Sequence, residues 1–203
     1  MIRKAYSAGA VKFSFWFMEF KKVMQLLNEG KDLKEIRELN KNENIFETKT
    51  LARGEQIFST VSARIKTLDP SIYPIFINGD LATQKQIALI GTLAHDTLFF
   101  DFVYHVLREK MLIGSNEYAD SDMRIFFKNI QEQDEKAAKW TDATIARLGR
   151  SYNTQLFEAG MIDQPKQGQT VKKIFKPILD RELEYWLQDH DMEIMIKALT
   201  GVA

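Results

Sequence analysis

Residues 139–160 read KWTDATIARLGRSYNTQLFEAG, and this stretch decides the fold. Ile145, Leu148, Tyr152, Leu156 and Phe157 recur at helical spacing, which puts them on one face. The pattern predicts a helix over Thr141–Ala159, closed by Gly160. Its first turns offer Thr141, Thr144, Arg147 and Arg150, with Lys139 just before, and Arg147 and Arg150, spaced by three, share a face. Upstream, Met123, Phe126, Phe127 and Ile130 mark a helix over 120–136. A turn over 137–140 joins the two, and Trp140 is expected to pack beneath it. If the ring is fully buried there, Trp140→Ala should cost about 3–5 kcal/mol. Downstream, Met161–Ile162 and Val171–Phe175 are β-prone and flank a Pro/Gly/Gln tip, which reads as a hairpin. Helix, turn, helix and basic hairpin in that order is the arrangement of a winged helix-turn-helix, whose second helix enters the DNA major groove. Lys166 stands at the hairpin tip, with Lys172, Lys173 and Lys176 on its return, where a wing grips the DNA backbone. The bland alternative is a solvated helix beside a basic surface loop.

The rest of the chain is also helical in pattern. Phe13, Trp16, Phe17, Phe20, Val23, Met24 and Leu27 form one face of a helix over Ser14–Asn28. That face suits core packing, with an aromatic platform for bases as the alternative. Asp32 and Glu35 make a capping-box pattern. A turn over Lys41–Glu47 and a helix over Thr48–Leu68 follow. Lys49, Thr50 and Arg53 open that helix and form a second, weaker helix-turn-helix candidate. Its turn is longer than usual and Glu47 and Glu55 lie close by, so a packed helical hairpin is the rival reading. Helices are expected over Ile72–Ile77, Leu81–Leu93 and Thr97–Ile113, then over Pro177–Gln188 and Met192–Leu199. The fold class is therefore all-α, with two helical lobes, helix-turn-helix-like elements and a small β-hairpin wing. The expected division is an N-terminal lobe (1–68), a central hub (69–119) and a C-terminal winged-helix-like lobe (120–203).

Charge supports this reading. The chain is neutral, with 28 Lys+Arg and 28 Asp+Glu, yet the charge is segregated. Residues 1–68 and 139–177 carry net charges of +5 and +4, while 69–138 and 178–203 carry −5 and −4. Basic blocks on such a frame point to nucleic acid more than to catalysis. There is no Cys, which excludes a disulfide scaffold, a thiolate zinc site and a cysteine nucleophile. The start, Met1-Ile2-Arg3-Lys4, lacks a following apolar run, and no stretch approaches the roughly 20 residues of a membrane span. A cytoplasmic location is expected. Asp101 and His105 are placed to share a hydrogen bond, but that spacing also suits a surface pair and no nucleophile accompanies them. No catalytic residue, metal site or cofactor is expected.

Several motifs together resemble a known family. They are Tyr6-Ser7-Ala8-Gly9 before the aromatic helix, Asn44-Ile45-Phe46 before the long helix with Arg53 and Arg64, and Lys85-Gln86. Asp101-Phe102-Val103, Trp140-Thr141 and Glu158-Ala159-Gly160-Met161-Ile162 complete the set. The chain resembles the BrxA family of bacteriophage-exclusion (BREX) defence systems over roughly residues 6–190. Members are small helical cytoplasmic proteins likened to the antitermination factor NusB. The resemblance implies a nucleic-acid partner and no enzyme, and it assigns no contact residues. The expected partners are double-stranded DNA, with RNA as the alternative, and other phage-defence proteins. Neither a membrane nor a small-molecule substrate is expected. A protein-only scaffold, docking through the acidic hub and the tail with Tyr185 and Trp186, is the remaining rival. If about six phosphates are neutralised, DNA affinity should drop roughly a thousandfold between 50 and 200 mM salt.

Overall fold

Contacts divide the chain into a contiguous unit, Trp16–His95, and a discontinuous one, Met1–Phe15 with Asp96–Ala203. The computed structural model describes residues 3–164 and 166–202. Met1 and Ile2, at the start read above, and Pro165, at the expected hairpin tip, lie outside the described residues. The units meet at 15/16 and 95/96. The short helix and its successor over 72–95 pack with the first and third helices, while the helical run after Asp96 packs with the C-terminal helix.

The contiguous unit holds α1 (Phe17–Asn28), α2 (Leu33–Glu43), α3 (Leu51–Ile65), α4 (Ile72–Asn78) and α5 (Leu81–His95). α1 starts later than its periodicity suggests, because Trp16 adopts a left-handed backbone (φ 52°) and caps the helix from outside it. Trp16, Phe20, Val23 and Met24 are buried, so the aromatic stripe is core and not a base-stacking platform. The capping box at α2 is formed. Asp32 Oδ1 accepts from the N–H groups of Lys34 (2.7 Å) and Glu35 (2.8 Å), and Glu35 Oε2 accepts from Asp32 N–H (2.7 Å). These bonds satisfy N–H groups that a helix start otherwise leaves open. α5 is buried along most of its length and lies close to α3, since a Cβ on Gly91 would come within 3.2 Å of the Arg64 carbonyl oxygen.

The discontinuous unit begins with a lead that ends in a 3-10 turn, Ala8–Lys12. It resumes with α6 (Thr97–Phe102), a π turn (Val103–Leu107) and α7 (Arg108–Leu112), where the apolar pattern alone suggests one unbroken helix. Then come β1 (Glu117–Ala119), α8 (Asp120–Gln133), α9 (Asp142–Glu158), β2 (Val171–Lys173), α10 (Arg181–Asp189) and α11 (Glu193–Thr200). Its core is an aromatic stack. The Tyr152 ring of α9 lies 4.3 Å from Phe99 and 5.6 Å from Phe102, which meets Phe126 edge-on at 5.4 Å. Offset and edge-on arrangements of this kind add to the burial of the rings themselves.

The expected wing is present with one more pairing than the sequence suggests. β2 pairs antiparallel with β1, Tyr118 opposite Lys172, and Ile174 bridges back to Ile162. The connection from α8 to α9 runs over residues 134–141. Asp134 Oδ1 accepts from Lys136 N–H (2.9 Å) and Ala137 N–H (2.8 Å), and Gln131 Nε2 donates to Trp140 O (3.1 Å). Ala137 is the residue buried beneath this turn, while Trp140 is only half-buried. Trp140→Ala is therefore expected to lower stability by about 1–2 kcal/mol, less than a core indole would. A loss above about 3 kcal/mol in thermal unfolding would show a buried ring. Among the described residues no single helix is long and apolar enough to cross a membrane.

Candidate nucleic-acid interface

α9 is started by Thr141, whose Oγ1 accepts from Thr144 N–H (3.2 Å) and lies 3.1 Å from the Thr144 hydroxyl. The two threonines therefore fasten the helix start. Beyond them Arg147 and Arg150 are exposed, and neither has an ion-pair partner among the described residues. Lys139 stands exposed in the preceding turn. α9 passes close to Met123 of α8, because a Cβ on Gly149 would collide with Met123 Sδ. That approach leaves a cleft between α8, α9 and the wing, of about 460 Å³, with Met123, Phe127 and Ile145 in its lining. Arg150, Lys166 and Arg124 share this cleft with Asp120. Arg124 went unnoticed in the sequence, where its acidic neighbours Asp120 and Asp122 mask it. Its place one turn into α8 is the signal that would have found it.

The wing lysines divide by strand alternation. Successive strand side chains point to opposite faces, and Lys172 shares its face with its partner Tyr118. Lys173 and Lys166 are exposed, but Lys172 is 4% exposed. Its ammonium forms an ion pair with Asp120 and donates to Gln169 O at 3.2 Å. Lys172 thus serves inside the lobe and is not offered to a backbone phosphate. Tyr118 Oη donates to Asn153 Oδ1 beneath the same sheet, tying β1 to α9. Burial first, then the Asp120 and Asp163 carboxylates, push the Tyr118 hydroxyl well above its ordinary value, so it stays a donor.

In the contiguous unit, Thr50 Oγ1 accepts from Arg53 N–H (3.3 Å) as the cap of α3. The Arg53 guanidinium donates to Gln56 Oε1 (2.8 Å) and lies 5.1 Å from the Trp16 ring centroid. Arg64, part of the same basic block, is 3% exposed and lies 5.9 Å from that ring. Lys49 is exposed. Two of the three residues of this second candidate thus have structural employment.

The lead is fastened to its own unit. Arg3 donates twice to Asp101, Nη1 to Oδ1 (3.0 Å) and Nη2 to Oδ2 (2.6 Å), and Tyr6 Oη donates to Oδ2 (2.7 Å). Burial and the Asp101 bond push the Tyr6 hydroxyl up to about 12. Lys4 N–H donates to Thr97 Oγ1 (2.8 Å), and Ser151 Oγ of α9 donates to Ala10 O (2.9 Å) across 141 residues of sequence. Asp101 is therefore engaged by the lead and not by His105, which is exposed and sits edge-on to Tyr104. No group of three His, Cys, Asp or Glu residues suited to a metal occurs among the described residues.

Fold and site define a small all-α protein with a two-stranded sheet and a basic helix face beside it. The chain belongs to the BrxA family of BREX phage-defence systems, whose family model matches residues 4–191. It is 39% identical over 164 residues to the BREX protein BrxA of Bacillus cereus (strain H3081.97), covering 81% of this chain and 80% of that protein. It is 26% identical over 117 residues to the BREX protein BrxA of Escherichia coli O9:H4 (strain HS), covering 54% and 51%. The crystal structure of an uncharacterized protein from Magnetospirillum magneticum superposes with a TM-score of 0.80 over 98% of this chain and all of that one (100%). At 18% identity that match shows a shared fold.

Proposed function

We propose that this chain is a non-enzymatic, cytoplasmic accessory protein of a BREX system that binds double-stranded DNA through residues 117–174, used as a winged helix-turn-helix. The reading rests on one observation. Arg147 and Arg150 stand exposed and without ion-pair partners on α9, flanked by exposed Lys139, Lys166 and Lys173. α9 is the recognition helix, and its arginines reach phosphates or guanine edges in the major groove. Lys173 and Lys166 hold the backbone beside it, and Thr141 and Thr144 set the height of the helix start. Other proteins of the defence system are partners on the same complex.

Competition tests the polymer. The purified protein is bound to labelled duplex DNA and challenged with unlabelled duplex DNA or duplex RNA of matching sequence. DNA is expected to displace the probe at lower concentration, because the deep, narrow major groove of A-form RNA does not admit a helix. Better displacement by RNA would favour RNA binding, and absence of probe binding would favour the scaffold.

A further inference from the structure

We infer that the cleft between the lead and α9 is a phosphate-binding site, with Lys12 as a cation that acts together with Arg147 and Arg150. The cleft measures about 310 Å³ and is lined by Lys12, Ser14, Arg147, Arg150, Thr154 and Gln155, together with neighbouring residues of the lead. Three cations and four neutral hydrogen-bonding side chains, Ser151 among them, face this space, and no carboxylate does. The cleft on the other flank of α9 differs, since Asp120 lines it. None of Lys12, Arg147 and Arg150 has an ion-pair partner among the described residues. Unpaired like charges converging on one small space are unfavourable alone and are relieved by an anion. A guanidinium fork matches phosphate oxygens, and a lysine adds a point charge.

The lead makes this a built site. Arg3 and Tyr6 on Asp101 and Lys4 on Thr97 hold the chain before the 3-10 turn that ends at Lys12, and Ser151 Oγ holds it at Ala10 O within the turn and at Phe13 O (3.4 Å) just after it. Lys12 is thereby presented from the opposite flank of α9 to the wing. Two sources can supply the phosphate, a DNA backbone or a free phosphorylated molecule. The DNA source rests on the function proposed above. In that case Lys12 grips the strand that the wing does not reach.

The experiment compares wild type, Lys12→Ala and Lys34→Ala with two probes. Lys34 is an exposed lysine on α2 whose removal deletes the same charge. With a short DNA duplex, Lys12→Ala is expected to make the affinity loss between about 50 and 200 mM salt shallower by about 3.5-fold, the share of one phosphate contact. Lys34→Ala is expected to leave it unchanged. With inorganic pyrophosphate, the readout is the shift in melting temperature. A Lys12-dependent effect on the duplex alone assigns the seat to the DNA backbone. A Lys12-dependent effect on pyrophosphate with no duplex binding assigns it to a free phosphorylated molecule, in which case the site stands and the DNA function falls. If neither probe responds to Lys12→Ala beyond Lys34→Ala, the site is refuted. The DNA function is then judged on Arg147 and Arg150 alone.

Discussion

Affinity for a short DNA duplex is expected to fall about 500-fold between 50 and 200 mM salt if Lys139, Arg147, Arg150, Lys166 and Lys173 each neutralise one phosphate, before the further factor of about 3.5 that Lys12 adds if the duplex occupies its cleft. This count omits Lys172, which is buried against Asp120, and so falls below the thousandfold that charge in the sequence suggests. Within that total, Arg147→Ala with Arg150→Ala is expected to remove two contacts. The salt-induced loss should become about 12-fold shallower. Affinity at fixed salt should fall by at least about 1–3 kcal/mol if one guanidinium reads a base in a bidentate manner. Folding should survive, because both side chains are exposed.

The comparison is Lys49→Ala with Arg53→Ala, which deletes the same formal charge. Arg53 donates to Gln56 and lies over the Trp16 ring, so its loss is felt as about 0.5–1 kcal/mol of stability. A simple net-charge effect would weaken DNA binding equally in both double variants. A docked recognition helix would not, because only placed cations release counterions. Equal losses, or a larger loss at 49/53, would move the interface to the other unit.

Asp120→Ala is expected to destabilise the protein by about 3 kcal/mol, while Lys172→Met changes stability by less than about 1 kcal/mol. The asymmetry follows from burial. The Lys172 side chain is 4% exposed and that of Asp120 is 38% exposed. Removing Asp120 leaves an ammonium inside the lobe with the Gln169 carbonyl as its remaining partner. Removing Lys172 leaves a carboxylate that water can reach, and methionine fills the vacated space. The partial exposure of Asp120 places the first effect at the low end of the range for broken buried pairs. Denaturant unfolding measures both, and equal losses would contradict the account. Lys172→Met should also keep its DNA affinity, which separates this lysine from Lys166 and Lys173.

What could be read from the sequence was set by local periodicity. The core stripe of α9, the capping box at Asp32 and the all-α class all depend on neighbours within a turn or two of helix. The resemblance to BrxA proteins was legible in the same way, from short motifs spread along the chain. Burial of a charged residue was not legible. Lys172 reads as one more wing lysine until its register against Tyr118 is known, and β1 itself is three residues long, too short for alternation to show. Likewise, Trp140 yields its place beneath the turn to Ala137, because the connection is longer than the sequence suggests and carries its own 3-10 turn. Lys12 and Arg150 could not be joined at all from sequence, since their juxtaposition depends on the lead returning to α9.

The connectivity of the discontinuous unit has a consequence for synthesis. The lead is synthesised before the contiguous unit, yet Thr97, Asp101 and Ser151, which hold it, emerge only after the whole of Trp16–His95 has been made. The contiguous unit has all of its own sequence available early and can fold as the chain lengthens. During that interval the lead remains without its partners at Thr97, Asp101 and Ser151. An element made before the contiguous unit is thus settled after it, and its last tie forms only when α9 has cleared the exit tunnel.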